Sequence, residues 1–259
     1  MKNKLFIIIT AFYLLSGCSK NNGSNGEKIS RVYSGGQLQG EFVYNNEGLL
    51  TGHVSYFAGK KGSEVICHYD TDKKLIKKES AFDLSSSTTN PQWSYSYTEY
   101  IYAVDGRISE EKNYLKQSTT YVLVSKTRPG YDASGRLISR TILSPTDIPI
   151  QLSKYQYGSN GNIILQESYR YNGAVTELHF KYNYDDHDNK TNPYLNLASE
   201  VAPFSINRNN ILQTTVTNYI VTPGTPVVTV NRSVYSSYNR SGLPTKVSEN
   251  GTEFIYEYR

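Results

Sequence analysis

A spacing of tyrosine and glycine recurs along this chain and constrains its fold more than any other feature. Seven times a tyrosine is followed four residues later by a turn-type residue, and two residues after that usually by Leu or Ile. Successive tyrosines are separated by 25, 33, 29, 26, 27 and 54 residues. A period of about 27 residues predicts one structural unit repeated along the chain. The copies are Tyr44-Gly48-Leu50, Tyr69-Lys73-Leu75, Tyr102-Gly106-Ile108, Tyr131-Gly135-Leu137, Tyr157-Gly161-Ile163, Tyr184-Asp188-Lys190 and Tyr238-Gly242-Pro244.

Each copy is interpreted as a β-hairpin. Segments such as 93–98 and 253–258 alternate aromatic or apolar residues with small polar or charged residues, which is typical of strands. The glycine reaches the positive φ that a tight return requires. An eighth, degenerate copy, Ile206-Asn210-Leu212, would fill the 54-residue interval. The prediction is an all-β fold, a long antiparallel meander of up to about sixteen strands, curled into a barrel-like or two-layered shell.

The N-terminus predicts export. Lys2 and Lys4 precede an apolar stretch from Leu5 to Leu15 that is too short to span a bilayer, as in a secretory signal. The box Leu15-Ser16-Gly17-Cys18 makes it resemble a bacterial lipoprotein signal. That resemblance implies cleavage of residues 1–17 and lipid on the thiol and amino group of Cys18. An ordinary signal peptide with an incidental cysteine is the alternative.

The predicted mature chain has a tether and one domain. Cys18 and the polar residues up to Lys28 lack the apolar side chains of a core, so 18–28 is expected to be a flexible tether before a single β-repeat domain over 29–259. Removal of two lysines leaves 25 basic against 23 acidic residues, a net charge of +2. This weak charge argues against a nucleic-acid partner. The predicted location is the outer membrane, held by lipid, with the periplasmic and surface-facing orientations both open.

The chain has 24 tyrosines, which suit either a core or a binding surface. Tyrosine buries a large ring and keeps its hydroxyl at a wet edge, so most are predicted to pack inside the sheet. The alternative is that some form stacking platforms for sugar rings or peptides. Trp93, Tyr95 and Tyr97 are the candidates for this ligand-binding role, because they share one face of a predicted strand.

The repeat resembles a known pattern. The segment Tyr131-Asp132-Ala133-Ser134-Gly135-Arg136-Leu137 is similar to the tyrosine–aspartate repeats of Rhs-type proteins. Together with the lipobox, the segments Tyr184–Tyr194 and Asn209-Asn210-Ile211 resemble a family of Bacteroides-type lipoproteins of unknown function with a porin-like fold. The resemblance covers roughly residues 30 to 259. It implies an antiparallel, barrel-like β-protein and provides no activity to transfer.

Little in the sequence points to catalysis or to a cofactor. The chain has no Gly-x-Ser-x-Gly elbow, His-Glu-x-x-His helix or glycine-rich phosphate loop, so the prediction is a non-catalytic protein without a cofactor. Glu110 and Glu111 would point to opposite faces of a strand. The carboxylates of Asp185, Asp186 and Asp188 are a speculative calcium site, and the favoured alternative is a solvated turn in the sixth repeat.

Two functional classes follow from the sequence, with a hydrolase as a distant third. One is a binding lipoprotein of the cell envelope that takes a glycan, a peptide or a protein partner, and it predicts an exposed aromatic patch near Trp93. The other is a structural or assembly component of the envelope. It predicts that the tyrosines are mostly buried and that contacts are made through sheet edges.

Overall fold

Sixteen antiparallel strands form a closed barrel in a computed structural model that describes residues 26–85, 92–173, 175–195, 206–220 and 225–259. The predicted all-β fold is confirmed, and of the two predicted shapes the structure has the barrel. The predicted signal and Cys18 lie outside the described residues. The strands are β1 (Ile29–Ser34), β2 (Gln37–Tyr44), β3 (Leu50–Phe57), β4 (Lys60–Tyr69), β5 (Leu75–Asp83), β6 (Trp93–Tyr102), β7 (Ile108–Gln117), β8 (Thr120–Tyr131), β9 (Leu137–Leu143), β10 (Pro149–Tyr157), β11 (Ile163–Asn172), β12 (Val175–Thr191), β13 (Asn209–Asn218), β14 (Val227–Tyr238), β15 (Pro244–Glu249) and β16 (Thr252–Tyr258).

Every strand pairs with its neighbours in sequence, and β1 pairs with β16 to close the ring. The apolar and polar alternation of the strands places one set of side chains inside and the other outside. Within the described ranges, no helix is long and apolar enough to cross a membrane.

The tyrosine turns have the predicted geometry at one end of the barrel, called here the tyrosine end. Gly48, Gly106, Gly135, Gly161 and Gly242 have φ between 76° and 82°, and Lys73 takes the same region at 62°. An Asn or Asp directly after the tyrosine fixes several of these turns. In the fourth copy, Asp132 Oδ1 accepts the N–H groups of Ser134 and Arg136, both at 2.9 Å. A β-bulge follows each of these turns and increases the local twist.

The turn tyrosines connect one hairpin to the hairpin before it. Five hydroxyls each donate to the backbone carbonyl of the residue that begins the return strand of the preceding turn, whereas the Tyr238 hydroxyl donates to Asp188 Oδ2 at 3.0 Å. A large buried ring is thereby combined with a satisfied polar group. The bonds are Tyr69 to Leu50 (2.8 Å), Tyr102 to Leu75 (2.8 Å), Tyr157 to Leu137 (2.9 Å), Tyr258 to Pro244 (2.5 Å) and Tyr44 to Ile29 (2.9 Å).

The two chain ends occupy the place of one more tyrosine turn. Tyr258 stands where a turn begins, and Ile29 stands where its return strand begins. The Arg259 N–H donates to the Lys28 carbonyl at 3.0 Å, as the Asn45 N–H donates to the Leu49 carbonyl at 3.0 Å inside an intact turn. The ends therefore close the barrel with the contacts of the repeat itself.

The sixth and eighth predicted copies are wrong. No turn begins at Tyr184, because β12 continues through Asp188 to Thr191. Asn210 lies within β13 rather than in a turn. The true equivalent joins Asn192 to Arg208, whose backbone groups bond at 2.9 Å. Here a long connection replaces the short loop, so the spacing on which the repeat was recognised is lost.

The described ends of this connection, residues 192–195 and 206–208, pack into the barrel at the tyrosine end. Tyr194 packs edge-on against Tyr256 across the barrel, with ring centroids 5.9 Å apart, and belongs to the larger core cluster around Leu50, Val65 and Val247. Ile206 packs against a second cluster that contains Ile163. Asn207 is fully buried, and its side-chain oxygen accepts the Ile163 N–H at 2.6 Å. The two described ends thus pack against one core cluster each.

Hairpins of unequal length leave steps in the wall at the opposite end, called here the mouth. β14 pairs with β13 over Val227–Arg232 but with β15 only from Ser233 onward. β8 likewise pairs with β7 from Thr120 but with β9 only from Lys126. In the part of the chain that the structure describes, each step leaves one side of a strand without a β partner.

Candidate functional site

Trp93, Tyr95 and Tyr97 lie on the outer face of β6, as their alternation predicted. The register pairs Ser96 with Ser80, whose side chain is buried inside the barrel, so the tyrosines on either side of Ser96 point outward. Tyr95 is 42 % exposed, and Trp93 and Tyr97 are half-buried. The structure therefore brings the three candidates together on one exposed surface.

Two further tyrosines complete this surface, called here the outer aromatic patch (Trp93, Tyr95, Tyr97, Tyr114 and Tyr121). Tyr114 of β7 stacks on Tyr97 with centroids 4.4 Å apart, and Tyr121 of β8 meets Tyr97 edge-on at 4.8 Å. Sequence reasoning missed both. Tyr114 lies opposite Tyr97 only through the β6–β7 register, which depends on hairpin length.

Lysine side chains hold the rings of the patch in place. Lys77 Nζ lies 4.6 Å from the centroid of Tyr97, and Lys116 Nζ lies 5.1 Å from that of Tyr95. Such cation–π contacts contribute about 0.5–1 kcal/mol at exposed sites. Burial, followed by the nearby Glu99 carboxylate, raises the pKa of Tyr114. The patch is an ordered array of rings with hydrogen-bonding groups at its margin.

The aspartates proposed for calcium do not share a site. Asp188 accepts hydrogen bonds from Asn210 Nδ2 at 2.8 Å and Tyr238 Oη at 3.0 Å. Asp185 instead accepts from Thr215 Oγ1 at 2.5 Å, and Asp186 accepts from the adjacent His187 N–H. Across the described ranges, no group of three or more His, Cys, Asp or Glu side chains is placed to hold a metal.

Glu110 and Glu111 point to opposite faces, as predicted. Glu110 binds Arg128 at 2.7 Å on the outer face. Glu111 is only 3 % exposed, and its carboxylate lies 3.1 Å from Arg140 Nη2. Burial lowers the pKa of the nearby Lys78 to about 8, against the opposing effect of Glu111. This inner charged group is only partly satisfied, because Glu111 Oε1 and Arg140 Nε have no hydrogen-bond partner within the described residues.

His53 is the most unusual buried polar residue. It is 2 % exposed, its ring lies 4.5 Å from that of Phe42, and neither ring nitrogen has a hydrogen-bond partner within the described chain. Burial lowers its pKa to about 4. A neutral imidazole is therefore kept in the core at the cost of two unsatisfied nitrogens.

Replacement of His53 by leucine is expected to reduce the loss of folding stability that occurs as the pH falls below 6.5. The unfolded chain takes up a proton on His53 near pH 6.5 and the folded chain only near pH 4, so stability is full above pH 6.5 and falls as the pH drops. The loss amounts to about 3 kcal/mol by pH 4. Urea unfolding at pH 7 and pH 4.5 should show His53→Leu losing less stability than the wild type.

His68→Leu is the matched control for this measurement, because His68 is exposed and lies 3.3 Å from Glu79 on the outer face. It should keep the acid dependence of the wild type. Equal pH profiles for His53→Leu and the wild type would show that His53 is not buried in neutral form.

Comparisons with known proteins give structural likeness only. No family model matches the chain, and no curated protein matches it. Among solved structures, the chain is similar to a porin-like protein from Bacteroides uniformis, with a TM-score of 0.47, 10 % identity, and coverage of 89 % of this chain and 98 % of that one. It is also similar to part of TcdB2-TccC3, with a TM-score of 0.29 and 10 % identity, over 84 % of this chain and 13 % of that one.

Proposed function

We propose that this protein is a non-catalytic, lipid-anchored barrel of the cell envelope that binds a glycan through its outer aromatic patch. The observation that carries the proposal is the convergence of five aromatic side chains from three strands on one exposed face. A ring that only fills the core would point inward, and these do not.

The chemistry of the patch favours sugar rings. Tyrosine and tryptophan present flat apolar faces together with a polar group at the ring edge. The C–H face of a sugar can stack on such rings, and its hydroxyls can bond to the groups around them. Lys77 and Glu99 lie beside Tyr97 and supply a donor and an acceptor at the margin.

The outer face carries paired charges beside exposed aliphatic residues such as Ile76 and Ile138, and the paired charges support anchoring by lipid rather than by the wall. Its ion pairs include Arg31–Glu41 at 2.9 Å, Lys77–Glu79 at 2.8 Å and Lys246–Glu253 at 2.6 Å. A lysine or arginine facing lipid at mid-bilayer costs about 2–4 kcal/mol. In the proposed arrangement, a tether of about eleven residues, with a root-mean-square length of about 18 Å, joins β1 at the tyrosine end. The mouth then faces away from the membrane.

Glycan-array binding followed by calorimetry on the best oligosaccharide tests the patch. Trp93→Ala and Tyr97→Ala are each expected to weaken binding about two- to tenfold, because a ring contact contributes about 0.5–1.5 kcal/mol. Tyr169→Ala is the control, since Tyr169 also lies on the outer face but on β11. The absence of any glycan binding, or equal loss in the control, would refute glycan recognition by the patch. An unfolded Trp93→Ala protein would show that Trp93 is a packing residue.

Mass spectrometry of the membrane fraction tests the anchor. The mature chain is expected to begin at Cys18 with acyl groups on its sulfur and nitrogen, and Cys18→Ser is expected to leave the signal uncleaved. A thioether and a disulfide cannot share one sulfur. The other cysteine of the sequence is Cys67. Detection of a disulfide between Cys18 and Cys67 under non-reducing conditions would therefore rule out the lipid on the thiol.

A further inference from the structure

The step between β14 and β15 leaves a strand edge open at the mouth. Over Val227–Arg232, β14 is paired with β13 on one side, while on the other side β15 ends at Glu249. Asn250 terminates that ladder: its N–H donates to the Arg232 carbonyl at 2.9 Å, and its Oδ1 accepts the Arg232 N–H at 2.9 Å. Beyond Arg232, no β partner covers this side within the described chain.

The contacts of Arg232 show which backbone groups face the opening. Both its N–H and its carbonyl point toward β15. Because backbone groups alternate in direction along a strand, those of Val230 and Val228 point the same way. The open edge therefore presents two donors and two acceptors. The side chains are exposed as well, with Val228 at 58 % and Val230 at 45 %.

Between the flanking Pro226 and Arg232, this edge lacks the devices that usually protect one. The residues from Val227 to Asn231 include no charge and no proline. The register with β13 has no bulge over this length. By contrast, the open edge of β8 is interrupted by a bulge at Val124 and ends beside Lys126, which binds Asp147. Charges and bulges block edge pairing, and a flat β-branched edge invites it.

We propose that the β14 edge pairs with the β14 edge of a second copy of this chain, in antiparallel register about Thr229. This register is self-complementary. Val228 of one copy faces Val230 of the other, and each pair exchanges two hydrogen bonds, giving four in all. The outward side chains of these valines then pack against each other across a two-fold axis, as isologous interfaces require.

A groove next to the edge supplies further contact area. It has a volume of about 440 Å³ and is lined by Val230, Arg232, Val234, Ser248, Asn250 and Gly251. The second copy would approach across this groove. Antiparallel pairing turns the two barrels in opposite directions, so their mouths meet and their tyrosine ends lie apart. Two copies paired in this way are either anchored in two membranes that face each other, or they lie with their barrel axes parallel to a single membrane.

Disulfide trapping of the full-length protein in detergent tests the register. In the proposed dimer the two Thr229 residues are directly opposite at a non-hydrogen-bonded position, where the Cα atoms lie about 4.5 Å apart, within reach of a disulfide. Thr229→Cys is expected to give a covalent dimer on mild oxidation. Val234 is 61 % exposed but lies where β14 is paired with β15, so Val234→Cys should give no covalent dimer above the background of the wild-type cysteines.

Sedimentation velocity provides a second test that does not depend on a new cysteine. Val230→Pro removes a donor on the open side and leaves the β13 ladder intact, so it should abolish the dimer, as should Val228→Lys. Val234→Lys adds the same charge to the paired part of β14 and should leave the dimer unchanged. A wild-type protein that is monomeric at about 100 μM, or dimers that persist in both edge variants, would overturn the proposal. Variants of the outer aromatic patch such as Trp93→Ala should still dimerise. A failure of the glycan-binding proposal can therefore be distinguished from a failure of the dimer proposal.

Discussion

Raising the pH from 10 to 12 is expected to unfold the barrel in one cooperative step. Burial raises the pKa of seven mostly buried core tyrosines above the ordinary value of 10. Because their neutral form is favoured in the folded state, stability is full below pH 10 and is lost as the pH rises toward the folded pKa values. These tyrosines are Tyr44, Tyr69, Tyr184, Tyr194, Tyr235, Tyr256 and Tyr258.

By pH 11 the expected loss of stability is comparable to the whole stability of an ordinary domain. Each such tyrosine destabilises the fold by about 1.4 kcal/mol per pH unit above 10. Seven of them give about 10 kcal/mol at pH 11, compared with a typical total of 5–15 kcal/mol. Ionisation also removes the donors of the tyrosine-to-carbonyl bonds, such as Tyr69 to Leu50.

Tyrosinate absorbance at 295 nm and circular dichroism, recorded on the same samples, check this prediction. A first part of the absorbance change is expected while the barrel stays folded. The remainder should appear only as the β signal is lost. Titration of all 24 tyrosines near pH 10 with the barrel intact would contradict the buried positions of the core tyrosines.

Removal of the last four residues, from Tyr256 to Arg259, is expected to open the barrel. The truncation deletes three of the five pairs that join β1 to β16, together with both backbone bonds between Lys28 and Arg259. It also removes the ring of Tyr256, which is 4 % exposed and packs on Tyr194. Loss of a large buried aromatic residue alone costs about 3–5 kcal/mol.

Circular dichroism and size-exclusion chromatography of the truncated protein check the outcome, and loss of the folded monomer or dimer is expected. Glu257→Gln is the control within the same segment, because Glu257 lies on the outer face and makes only a long contact, 3.4 Å, with the Tyr33 hydroxyl. It should fold like the wild type. A truncated chain with wild-type thermal stability would show that closure by β16 contributes little.

The repeat could be predicted because its determinants are local. A positive φ at Gly48 or Gly135, the side-chain bonds of Asp132 and the alternation in β6 all act within one hairpin, so each leaves a pattern in the sequence. Predicting that the sheet closes is harder, since closure depends on contacts between Ile29 and Tyr258, at opposite ends of the chain.

The features that escaped prediction depend on strand length and register. β12 continues past Tyr184 because its pairing with β13 stabilises it, and nothing in the six-residue spacing records that pairing. Tyr114 and Tyr121 join the outer aromatic patch only through the register of three strands. The open edge of β14 exists because β15 is six residues long, a length that no local motif encodes.

The chain ends meet where another tyrosine turn would lie. The hairpins therefore form a cyclic arrangement that is interrupted only between Arg259 and Lys28. Inserting two residues and a glycine between Arg259 and Lys28 would restore the spacing from Tyr258 to Ile29 and make that turn like its neighbours. New ends could then lie in another exposed turn, such as the one between Ser144 and Ile148, whose backbone groups are bonded in the same way. The order of the hairpins along the gene is therefore one of several rotations compatible with the same barrel. The rotation found here brings Lys28 and Arg259 together at the tyrosine end.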